Sequence, residues 1–144
     1  KLARRRLEQE AFRKELEIAR DVQHFLFPDT LPNTEALKVE ASYLPHDIVG
    51  GDYYDYIPIN KNQFLICLAD VSGKGISAAL MMSNFQASLR TLLRQTTSLT
   101  DIVEALNVQV LDNTKGEKFI TFFAAIYDKR LKTLVYINAG HNPP

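Results

Sequence analysis

Residues 50–75 read GGDYYDYIPINKNQFLICLADVSGKG. Two runs rich in aromatic and β-branched residues, 54–59 and 63–71, flank Asn60-Lys61-Asn62, the pattern of a β-hairpin. Each run carries an acid at its outer end beside glycines: Asp52 after Gly50-Gly51, and Asp70 before Val-Ser-Gly-Lys-Gly. An antiparallel pair brings its open ends together, so Asp52 and Asp70 meet at one end of the sheet. Adjacent carboxylates repel, and one tends to hold a proton unless a cation relieves the pair. All-oxygen donors with water suit magnesium or manganese better than zinc. Gly50 and Gly51 let the backbone bend so that Asp52 reaches inward. Asp70 taken alone has a second reading, in which it accepts hydrogen bonds from the turn after it and caps a helix beginning near Ile76. The run SGKGIS does not make a phosphate loop, because Leu68 stands where the first glycine is required and Gly75 follows Lys74.

Outward from this hairpin, residues 76–94 place Leu80, Met81, Phe85, Leu89 and Leu92 on one side of a helix. Ser98 or Thr100 caps a second helix over 101–112. Residues 119–127 and 133–138 form another hairpin around Asp128-Lys129-Arg130, and 37–44, LKVEASYL, reads as a strand. Residues 1–27 contain neither Gly nor Pro, and Pro28 and Pro32 follow, so a long helix of roughly 40 Å is predicted. Its apolar residues form two adjacent stripes, with Gln23 interrupting one, wider together than a two-stranded seam needs. The helix is expected to pack on its domain at its C-terminal end and on a partner helix at its N-terminal end, giving a homodimer; the other reading is an amphipathic helix lying wholly on its own domain. Hairpins and paired helices make an α+β pattern with an antiparallel sheet, not alternating βαβ.

The chain of 144 residues suffices for one domain with a core, and 46% hydrophobic and 24% charged residues are ordinary globular values. Seventeen basic residues balance seventeen acidic ones, which argues against a nucleic-acid binder. No apolar run reaches membrane-spanning length and the first residues lack a signal-peptide centre, so no membrane insertion and a cytoplasmic location are expected. The single cysteine, Cys67, lies in an apolar run and is expected to be a buried thiol.

Four motifs in order, VGGDYYD, ADVSGKGISAALMM, FITFFAAIYD and INAGHNPP, resemble the bacterial metal-dependent protein phosphatases of the stage-II-sporulation-E and sigma-regulator-U type, within the PPM family. ARDVQHFLFPDTLP is similar to the segment preceding that domain. The resemblance implies an αββα fold, an antiparallel β-sandwich flanked by helices. It implies a pair of manganese or magnesium ions between the sheets, and hydrolysis of phosphoserine or phosphothreonine on a small regulatory protein by activated water, with no covalent step. Carried over by position, Asp70 would bridge both metals, Asp52 would hold the second partly through water, and the Val71 carbonyl would be a further ligand. Asp52 and Asp70 are thus the catalytic and metal candidates. Enzymes of this kind place further metal-binding aspartates after the AGHNPP segment, where this sequence stops. The fold is therefore expected to be incomplete and the chain weak or inactive by itself. The expected division is a linker and dimerisation helix at 1–28 and the N-terminal part of the phosphatase domain at 29–144.

Asp55 is expected on the same side as Asp52 in a supporting role. His141 is a general-acid candidate, although a ring that hydrogen-bonds the adjoining turn is the stronger reading; His24 and His46 receive no role. An upstream sensor domain is plausible from the resemblance, with signals passing through the first helix to Asp70 and Val71. The substrate would be a phosphorylated partner of the anti-sigma-factor-antagonist kind. The alternative is a non-catalytic dimerising module whose degenerate domain only binds partners.

Overall fold

The computed structural model describes residues 1–143; Pro144, the last residue of the INAGHNPP run, lies outside the described residues. Helix α1 spans Leu2–His24, strands β1 and β2 span Asp52–Pro58 and Gln63–Val71, and helices α2 and α3 span Gly75–Leu93 and Leu99–Thr114. Strands β3, Ile120–Asp128, and β4, Thr133–Ala139, complete the order. The described strands form one antiparallel sheet in the order β1-β2-β3-β4, a meander in which each strand pairs with its sequence neighbour.

Both hairpin turns close by the same local chemistry. Asn60 Oδ1 accepts the N–H groups of Asn62 and Gln63 at 2.8 and 2.9 Å, and Asp128 Oδ1 accepts those of Arg130 and Leu131 at 2.9 Å. The Ser98 side chain caps α3 through the Asp101 N–H. That helix ends at Lys115 in the left-handed region, followed by Gly116 at φ 78°.

Helices α2 and α3 cover one face of the sheet. Leu65, Cys67, Ala69 and Val71 of β2 point to this side with Tyr53 and Ile57 of β1 and Phe122 and Ala124 of β3, and they pack on Met82, Phe85, Leu89, Ile102 and Leu106. Cys67 is a free buried thiol, as expected, and burial pushes its pKa up. The other face carries Asp52, Tyr54, Tyr56, Ile66, Leu68, Asp70 and Phe123 and is partly open; Leu68 and Tyr136 are exposed. Of the two facing sheets that the resemblance implies, the described residues build one sheet with its helix layer.

The strand expected over 37–44 does not form: the segment is irregular, with an isolated bridge from Asn33 to Lys38. Its residues lie near the open face, where Val39 and Ala41 share a pocket with Tyr54 and Leu68, but they have no ladder partner among the described residues, and a strand needs one for its N–H and C=O groups.

Asp55 corrects another expectation. Side chains alternate along a strand, so residues three apart face opposite ways. Asp55 therefore points into the helix face, away from Asp52. Its side chain is fully buried and held by Arg90 of α2 through paired bonds of 2.7 and 2.9 Å, with a further short hydrogen bond from the Tyr53 hydroxyl. Burial pushes the Tyr53 phenol pKa far up, and the Asp55 bond raises that of Arg90. This cluster fixes α2 against β1. Arg90→Met would leave a buried carboxylate without its counter-charge. A loss of about 1–3 kcal/mol in urea unfolding is expected for a buried acceptor that loses its donor, and a change below about 0.5 kcal/mol would remove the clamp from the account of stability.

Candidate metal centre

Asp52 is the first residue of β1, which starts two residues earlier than the run 54–59, and it stands directly opposite Asp70 in the β1–β2 register. The next partner across the sheet is Thr121 of β3. Thr121 Oγ1 and His141 Nδ1 are 2.9 Å apart, and the His141 N–H donates to Asn138 Oδ1 at 2.9 Å. Asp52, Asp70, Thr121 and His141 thus form a row at one end of the open face. His141 is fixed through its ring to β3 as well as through its backbone to the adjoining turn.

The two carboxylates border a pocket of about 230 Å³ lined also by Tyr43, His46, Asp47, Gly50, Gly51, Gly73, Lys74 and Gly75. Partial burial and then the facing Asp70 carboxylate push the Asp52 pKa up from 3.8, with His141 pulling it down. Burial raises the Tyr43 phenol as well, and Asp52 adds to the rise. Two carboxylates that face each other across a strand pair repel, and a cation between them would remove that cost.

Val71 does not line the pocket, but its carbonyl abuts Gly51. A Cβ on Gly51 would meet the Val71 oxygen at 3.1 Å, its Cβ at 2.8 Å and the Ala78 Cβ at 3.0 Å, so this backbone crossing admits only glycine without a shift. The Val71 N–H donates to the Gly51 carbonyl at 3.2 Å. Gly73 and Gly75 adopt φ of 95° and 68°, which turns the chain from β2 into α2 around the pocket.

The donor set fits magnesium or manganese in part. Two carboxylates and a nearby carbonyl, open to water, are what a hydrated hard cation takes. Among the described residues, however, no group of three or more His, Cys, Asp or Glu side chains converges as a metal cluster. Of the predicted residues, Asp52 and Asp70 are brought together and Val71 is adjacent. Thr121, Tyr43 and Gln23, whose amide bonds Gly50, were not anticipated; only the alternation of FITFFAA could have put Thr121 on the Asp70 face.

Because Asp52 has a raised pKa, its contribution favours folding below pH 3.8 and is lost as pH rises through the folded value. Asp70→Asn should therefore stabilise the metal-free chain at neutral pH, by roughly 0.2–1 kcal/mol for a like-charged cross-strand pair. The advantage should vanish below about pH 4. Urea unfolding in chelator across this range measures it, and a destabilised variant at neutral pH would contradict the repulsion.

A sequence profile of the family described as Stage II sporulation protein E (SpoIIE) matches residues 60–144. Phosphoserine phosphatase RsbU of Bacillus subtilis is 36% identical over 135 residues, 94% of this chain and 40% of its own length. Protein IcfG of Synechocystis is 31% identical, covering 91% of this chain and 25% of its own. Phosphoserine phosphatase RsbP of Bacillus subtilis is 26% identical over 91% of this chain and 33% of its own length. The chain thus spans well under half of each of these relatives. In structure, the SiaA-PP2C domain of Pseudomonas aeruginosa superposes with a TM-score of 0.75 over 91% of this chain and 55% of that one, at 22% identity, a likeness of fold alone. The RsbU and RsbW domains of Rv1364c from Mycobacterium tuberculosis give 0.57 over 69% and 28%, at 25% identity. The long helix, antiparallel sheet and two flanking helices match the αββα architecture of these structures, and with the profile covering more than half of its length, the chain belongs to the stage II sporulation protein E family of PPM-type phosphatases.

Proposed function

We propose that residues 29–144 are the N-terminal part of a metal-dependent phosphoserine/phosphothreonine phosphatase domain, that residues 1–28 are its helical linker, and that the substrate is a phosphorylated regulatory protein of the anti-sigma-factor-antagonist kind in bacterial signalling. The observation that carries this reading is the facing pair Asp52 and Asp70 at the mouth of the β1–β2 hairpin. Kinship with two phosphoserine phosphatases supports it.

Asp52 and Asp70, with the Val71 carbonyl, would hold manganese or magnesium. When bound, such a cation supplies Lewis-acid stabilisation of phosphoryl oxygens and lowers the pKa of water. The chain's own groups do the rest. Lys74 on the pocket wall offers positive charge to an incoming phosphate. The hydrogen bond between Thr121 Oγ1 and His141 Nδ1 engages one ring nitrogen, so the imidazole is held against β3 beside the acid pair. The space around Gly75 is open to 4 Å, and Lys118 Nζ stands close over Gly73, where an added Cβ would meet it at 3.1 Å. The reading as a non-catalytic binding module is favoured by one observation, the lack of a third converging donor among the described residues.

The test is hydrolysis of p-nitrophenyl phosphate and of a phosphoserine peptide, with manganese and with chelator, by this chain and by any longer protein that carries it. Metal-dependent turnover is expected in the longer protein and only weakly in this chain. Asp52→Asn and Asp70→Asn should each lower it on the order of 10²-fold or more. Turnover indifferent to chelator in both proteins would end the enzymatic reading.

The exposed apolar residues Leu2, Leu7, Phe12, Ile18 and Val22 support a homodimer through α1, and an upstream sensor domain would act through that helix. Sedimentation should give a dimer that Leu16→Asp converts to monomer; a monomeric parent chain at about 100 μM would remove the dimer, since any pairing left would be weaker than about 5.5 kcal/mol.

A further inference from the structure

Ile120 and Thr121 open β3, and successive strand residues face opposite ways. Thr121 stands across from Asp70 in the row at the metal centre. Ile120 lines a cavity of about 220 Å³ on the helix side, between α3 and the sheet. Val103, Leu106 and Val110 of α3 form its walls, and at its back the buried rings of Phe85 and Phe122 meet edge to face at 5.1 Å. The side chains that line it are apolar except Asn107 and Lys118. Whole small-molecule ligands take pockets of about 300 Å³ or more, so this space suits a single aliphatic side chain.

Lys118 joins the cavity to the acid pair. It lines the cavity, and its Nζ stands over Gly73, which borders the pocket of Asp52 and Asp70. It is half-buried, and among the described residues no carboxylate pairs with it. The loop that carries it is tied to the turn after Asp70. The Ser72 N–H donates to the Phe119 carbonyl at 2.9 Å, and the Phe119 N–H donates to Ser72 Oγ at 3.0 Å. These two bonds hold the cavity and the acid pair at a fixed separation.

We infer that this cavity is a docking subsite for one aliphatic side chain of the phosphoprotein substrate, at a set spacing from its phosphoserine, with Lys118 between the two drawing the phosphoryl group. This rests on the phosphatase reading above. Two observations favour a substrate segment as the occupant. The cavity shares Lys118 with the approach to the acid pair, and the cations on that rim, Lys74 and Lys118, complement an anionic phosphopeptide. An aliphatic anchor in a closed pocket beside a charged contact is how a few side chains come to dominate recognition.

The test uses this chain, and any longer protein that carries it, with magnesium. Each is titrated with phosphoserine peptides in which one Leu is moved through the flanking positions, and with their unphosphorylated twins; affinities and amide shifts are read by NMR. One Leu spacing is expected to bind about tenfold more tightly than the others and to shift the amides of Val103, Leu106 and Ile120. In Asn107→Trp, which closes the cavity mouth from an exposed position, that gain should vanish. In Lys118→Gln the preference for phosphorylated over unphosphorylated peptide should fall about fivefold. All spacings within about twofold of each other, or a gain that survives Asn107→Trp, would overturn the inference. So would shifts at Val103 and Leu106 that follow protein concentration without peptide, the mark of a second copy in the cavity. If phosphorylated and unphosphorylated peptides bind alike, the phosphatase reading fails instead, and the Leu spacing with its loss in Asn107→Trp decides the cavity alone. Should Asn107→Trp not fold, Asn107→Phe is held to the same criteria.

Discussion

The pairing register of β1 with β2 is the constraint on which everything else in this molecule rests. Asp52 faces Asp70, and Asp55 faces Cys67, because the chain turns at Asn60 and not one residue earlier or later. A slip of one residue would flip every side chain of β1 to the other face. Asp52 would then enter the apolar layer beneath α2, and Asp55 would leave Arg90 for the open face. One hairpin thus sorts two acids into opposite tasks: the first forms half of a repelling pair at the surface, the second anchors a helix.

The two tasks are connected through α2. This helix begins at Gly75, five residues after Asp70, and is bolted near its other end by Arg90 to Asp55. Between these points Ala78, Met82, Phe85 and Leu89 seal the helix to the sheet. The backbone leading out of β2 therefore has little freedom, and Val71 and Gly51 lie in contact within it. A site for a hard cation benefits from such a base, because carboxylates held in place need no reordering when the ion arrives.

The opposite face follows different physics. Its residues are aromatic and aliphatic and mostly half covered, and the buried Phe64 packs tilted against Tyr56 and Tyr127 at centroid distances of 5.0 and 5.5 Å. Segment 37–44 has the composition of a strand and lies by this face, yet it remains irregular for want of a partner. α1 shows the same logic in one dimension: most of its apolar residues are presented to solvent, Gln23 is its buried residue, Phe12 and Leu16 border a pocket with Ile48, Val49 and Ile76, and Leu26 and Phe27 pack on the core just after it.

Much of this was legible in the residues themselves. The hairpins, helices α2 and α3 and the meeting of Asp52 with Asp70 follow from period-two and period-3.6 patterns, turn residues and glycine placement, which are local and so are written along the chain. The four motifs in order placed the chain among PPM-type phosphatases by resemblance to a known family, not by periodicity. Three features could not be read that way. Asp55 pairs with Arg90, Gln23 with Gly50, and Thr121 with His141, across separations of 35, 27 and 20 residues. Those contacts exist only once helix and sheet have packed, because which polar groups are shut away from water, and must then find each other, is decided by the assembled core and not by any local pattern.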